Sequence, residues 1–60
     1  MDKNSKAELD KIMDTLPEIM DKLAELCQHT DLTGQFLITD IMLSVSGIGT
    51  NVLRIRINEL

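Results

Sequence analysis

The sequence predicts an all-α chain: an antiparallel helical hairpin, with a break or kink near Pro17, that self-associates into a helical bundle. Three observations lead there. Leu9, Ile12, Leu16, Ile19, Leu23 and Leu26 recur at steps of 3, 4, 3, 4 and 3, the 3.5-residue repeat of a helical core seam. Ile38, Ile41, Val45, Ile48, Val52 and Ile55 recur at the same steps. A short polar link separates the two seams, and equal seams joined in this way fold back as antiparallel neighbours.

The first seam opens at Ser5-Lys6-Ala7-Glu8, a capping box in which the Ser5 hydroxyl accepts from the Glu8 amide and the Glu8 carboxylate reaches back to the Ser5 amide. A second box follows at Thr15-Leu16-Pro17-Glu18 and puts Pro17 in a first turn, where its missing donor is not needed. The spacing therefore predicts helices over about 6–14 and 16–28, or one helix kinked at Pro17. Asp10, Asp14, Asp21 and Glu25 fall on the outer face, with Glu18 and Lys22 as an i, i+4 pair of favourable order. Gln28-His29-Thr30-Asp31 is the link, and Thr30 or Asp31 can cap a third helix over about 32–58.

That third segment also fits a strand template. Leu37, Thr39, Ile41, Leu43 and Val45 alternate with polar residues, as do Leu53, Ile55 and Ile57. Folded about Gly47 to Asn51, they would pair as a β-hairpin, giving an α+β alternative with N-terminal helices and a C-terminal hairpin. Each interior helical glycine costs roughly 1 kcal/mol against alanine, which favours the hairpin locally. The matching first seam favours the helix.

Sixty residues make a single small domain (1–60), and a chain of this size buries only about 60% of its unfolded surface. One cysteine excludes an internal disulfide, and no Cys/His spacing suggests a structural metal. Oligomerisation is the remaining stabilising device, and an apolar fraction of 43%, with Phe36 the sole aromatic residue, supplies surface for it. We therefore expect a homo-oligomer, dimer or higher, whose core is formed by the two six-residue seams.

Charge is uneven. Residues 1–31 carry eight acids against four lysines, while Asp40 and Glu59 balance Arg54 and Arg56 in residues 32–60. A net charge of −4 leaves no electrostatic footprint for nucleic acid. The opening MDKNSKAELD is too polar and acidic for a signal or transit peptide, so a cytoplasmic location is expected. Leu32 to Leu53 is long enough to span a bilayer, yet it contains Gln35, Asp40 and Asn51 and has no flanking basic cluster, so no membrane span is expected.

Candidate chemistry is sparse. Cys27, His29 and Asp31 form a C-x-H-x-D cluster, but three groups at one turn do not close a tetrahedral site. Cys27 follows Leu23 by four residues and reads as a packed thiol, and His29 as a solvated linker residue. The acidic outer face could take a cation or imitate phosphates, or simply be solvated. Ser44-Val45-Ser46-Gly47-Ile48-Gly49 lacks the Lys-Ser or Lys-Thr of a phosphate loop, and neither serine has a neighbouring base. No catalytic residue, cofactor or metal is expected. The informative feature is polar: Asp40, Ser44, Gly47, Asn51 and Arg54 follow at steps of 4, 3, 4 and 3, a second stripe on the back of the last helix. Small residues at its centre let another backbone approach, and Asp, Asn and Arg can pair across such a contact. The expected role is a non-catalytic regulatory or inhibitory protein that binds another protein, with the stripe as contact surface. The alternative is an oligomer that holds a polar or anionic small molecule there.

Overall fold

Asp2 and Asp31 start the two helices of the described residues. In the computed structural model, which describes residues 1–59, α1 covers Lys3–Cys27 and α2 covers Leu32–Asn58. Oδ1 of Asp2 accepts from the Ser5 amide at 2.7 Å, and Oδ1 of Asp31 accepts from the Gly34 amide at 2.8 Å. Each carboxylate thus satisfies one of the free donors that open a helix, in the favourable field of its positive end. The Ser5 box is not used. An N-cap needs extended backbone, which Asp2 has, so α1 begins three residues earlier than the box implies.

Pro17 lies inside α1, which runs through it without a break, so the two-helix reading of residues 6–28 is corrected to one helix. The Thr15 hydroxyl donates to the Lys11 carbonyl at 2.8 Å instead of capping a new helix. Proline removes one internal hydrogen bond and crowds the preceding turn, but packing along the whole of α2 continues on both sides of it. At the link, the Gln28 and His29 amides donate to the carbonyls of Glu25 and Leu26 at 3.1 and 3.0 Å, and Nε2 of Gln35 donates to the Thr30 carbonyl at 3.3 Å. The chain reverses within 28–31, and the far ends meet where Arg56 pairs with Asp10 at 3.3 Å and the Met1 amino group with Glu59 at 2.9 Å. The hairpin measures 44 × 15 × 11 Å, the length of a helix of about 27 residues.

No strand occurs among the described residues, and the segments 37–45 and 53–57 that alternate like strands are helical. Hydroxyls that suit a strand locally are satisfied within α2: Thr39, Ser44 and Thr50 donate to the carbonyls of Gln35, Asp40 and Ser46. Such back-bonding lets Ser and Thr sit in a helix interior without an outside acceptor.

The contact between the helices is a 3.5-residue seam. The shielded positions are Leu9, Met13, Leu16, Met20, Leu23 and Cys27 in α1 and Gln35, Ile38, Met42, Val45, Gly49 and Val52 in α2. Antiparallel layers follow: Met13 lies level with Val52, Leu16 with Gly49, Met20 with Val45, Leu23 with Met42 and Cys27 with Ile38. Gly49 faces Leu16 closely enough that an added Cβ would lie 3.5 Å from Leu16 Cδ1. Among the described residues only Ile38 and Val52 are buried, each 7% exposed.

Candidate functional site

The twelve seam residues of the sequence divide into two groups in the fold. Leu9, Leu16, Leu23, Ile38, Val45 and Val52 lie between the helices. Ile12, Ile19, Leu26, Ile41, Ile48 and Ile55 are 38–55% exposed. Each member of this second group follows a seam residue by three positions, which places it on the same edge of its helix. In an antiparallel pair those edges adjoin, so the six residues form one apolar face along the hairpin. Helices this apolar require more cover than a single neighbour supplies.

The opposite edge is lined by Asp10, Pro17 and Ala24 of α1 and by Thr39, Ser46 and Leu53 of α2. Small side chains and the proline ring there leave shallow grooves. One, of about 390 Å³, lies beside Pro17, Met20, Ser46 and Leu53. Another, of about 150 Å³, lies between Lys6, Asp10, Arg56 and Glu59 at the open end. The Glu59 carboxylate is held below its usual range by the Met1 amino group.

Asp40, Ser44, Gly47, Asn51 and Arg54 are all exposed on the outer side of α2, turned away from α1. The fold aligns them in one stripe adjoining the apolar face and leaves it convex; none of these residues lines either groove. A Cβ added at Gly47 would meet nothing within 4 Å. The stripe also runs beside Leu37 and Leu43, which are exposed. Neither Asp40 nor Arg54 has an ion-pair partner among the described residues.

Cys27 is half-buried in the seam against α2, and the His29 and Asp31 side chains remain exposed at the link. No group of three His, Cys, Asp or Glu side chains converges among the described residues. Sequence reasoning missed the cap at Asp2 and the seam role of Met13, Met20, Met42, Gln35 and Gly49. Asp2 at the start of a helical run was the available signal for the cap. The seam residues repeat at steps of 3 and 4 as well, but their mixed chemistry makes that repeat less conspicuous. α2 is long and apolar enough to cross a membrane by length and composition. No protein-family model matches the chain, and no curated protein or solved structure matches it.

Proposed function

We propose that this chain is a small non-catalytic protein, regulatory or inhibitory in role, that works by binding protein surfaces as a helical oligomer in the cytoplasm. The observation that carries this reading is the exposed aliphatic face: six large side chains in one stripe on a hairpin that, among the described residues, buries only Ile38 and Val52. Apolar surface continuous over the length of a molecule marks an interaction site. A convex polar stripe beside it, with Asp40 and Arg54 exposed, supplies orientation rather than reaction chemistry.

A bilayer is the other environment that would cover α2. Two features weigh against it: α2 carries Asp40 within its apolar run, and it is paired along its length with α1, whose lysines, aspartates and glutamates face outward. Burying those charges in hydrocarbon would cost more than the apolar face gains, and an acidic amphipathic helix is repelled by anionic lipid headgroups. Sedimentation equilibrium at micromolar concentration tests the reading, with an oligomer expected. A species of 6.7 kDa would overturn it, and so would co-sedimentation with lipid vesicles. A large rise in melting temperature with nucleotides would replace it by ligand binding at the stripe.

A further inference from the structure

We propose that the occupant of the apolar face is a second copy of the same hairpin, docked antiparallel about a two-fold axis at Gly47, so that Asp40 of each copy pairs with Arg54 of the other. This rests on the oligomeric reading above and specifies its geometry.

The stripe is palindromic in charge. Asp40 precedes Gly47 by seven residues and Arg54 follows it by seven, so each lies about 10 Å from it along the axis. Two α2 helices laid antiparallel with their glycines level therefore bring opposite charges together twice, and Ser44 level with Asn51. Parallel packing would instead stack Asp40 on Asp40 and Arg54 on Arg54. Isologous two-fold contacts are the commonest way for a chain to self-associate, and they require a surface complementary to itself in this manner. Gly47 lies at the flank of the contact between the two charged pairs, and the open space there leaves room for its symmetry mate.

The apolar residues fit the same register. Leu37, Ile41, Ser44, Ile48, Asn51 and Ile55 form a continuous run at steps of 4, 3, 4, 3 and 4. With Gly47 level with Gly47, Leu37 falls within two residues, about 3 Å, of the level of Ile55, and Ile41 and Ser44 fall equally near Asn51 and Ile48, each twice. Its centre is about 110° around the helix from the seam that contacts α1, so α2 would sit at one corner of a four-helix bundle. The same axis turns Ile12, Ile19 and Leu26 of α1 towards the bundle centre.

Exposed area supports a partner of this size. A compact protein of 6.7 kDa exposes roughly 3,900 Å². The hairpin exposes 4802 Å², an excess of about 900 Å² and close to the roughly 800 Å² per partner of a stable interface.

The test combines charge reversal with cross-linking. Asp40→Arg or Arg54→Asp alone places like charges together twice and should weaken dimerisation about tenfold, as read by sedimentation equilibrium. The double variant restores both pairs and should return the dissociation constant close to the wild-type value. In a Cys27→Ala background, Gly47→Cys should form an intermolecular disulfide under mild oxidation, whereas Asp40→Cys, about 21 Å from its symmetry mate, should not. Circular dichroism of each variant verifies the fold. An oligomer in which the double variant is no better than the singles, or in which Asp40→Cys cross-links as readily as Gly47→Cys, overturns this geometry and leaves the broader oligomeric reading standing. A monomeric wild type overturns both.

Discussion

Two glycines in α2 show how strongly neighbours set the effect of one methyl group. Gly49 has room for a Cβ, with Leu16 Cδ1 at 3.5 Å, so Gly49→Ala should add helix propensity and a seam contact and stabilise the chain by about 1 kcal/mol. At Gly34 a Cβ would collide with Thr30 Oγ1 and would lie 3.0 Å from the Thr30 Cβ, which no rotamer change moves. Gly34→Ala should therefore lose that gain and lower stability, although both substitutions place alanine in a helix. Urea denaturation of the two variants side by side checks the difference. The cap at Asp2 predicts a pH effect. Its carboxyl is held below the ordinary value of 3.8 chiefly by the hydrogen bond from the Ser5 amide. A folded-state value below the unfolded one stabilises above that ordinary value and is lost as pH falls through the lower one. Asp2→Asn keeps a capping oxygen but does not titrate, so it should match wild type at neutral pH and remove this part of the loss of helicity below about pH 4.

At the scale of elements, the helices differ in how much neighbour they require. α1 is amphipathic, with its charged face in water, while α2 exposes apolar residues nearly all round: Phe36, Leu37, Leu43 and Ile57 on one side, Ile41, Ile48 and Ile55 on another. The span of α2 was legible from caps and periodicity, 32–58 in both sequence and fold. The continuity of α1 was not. Thr15, Pro17 and Glu18 satisfy the local rule for a helix start, and only the uninterrupted seam of Met13, Leu16 and Met20 against α2 holds the chain helical through them. Pro17→Ala should restore the hydrogen bond to the Met13 carbonyl and stabilise α1 by up to about 3 kcal/mol, measured as a rise in melting temperature. A fall would mean that the ring's packing at the groove edge outweighs the lost hydrogen bond.

For the whole molecule, the division of the predicted seam separates folding from assembly. Ile38 is buried between the helices, so Ile38→Ala should cost about 2–4 kcal/mol of stability. Ile48 is 50% exposed, so Ile48→Asp strands no charge within one hairpin and should leave the monomer helical while abolishing self-association. Circular dichroism and sedimentation equilibrium on both variants separate the effects, and an Ile48→Asp protein that still self-associates would remove the apolar face from the interface. By itself the sequence placed the turn at 28–31 and the polar stripe through local caps and spacing, and favoured the helical class and the span of α2 over the hairpin alternative only through the match between the two seams. Tertiary structure alone decided which aliphatic row faces the other helix. Each helix carries an apolar stripe three residues wide per heptad, within which two overlapping 3.5-residue repeats can be read. A hairpin has only one neighbour and covers only one of them. The covered repeat brings in methionines, a cysteine and Gly49, and the uncovered one most of the isoleucines, so counting large aliphatic residues does not identify the row that packs within the hairpin; the choice rests on how two complete surfaces fit.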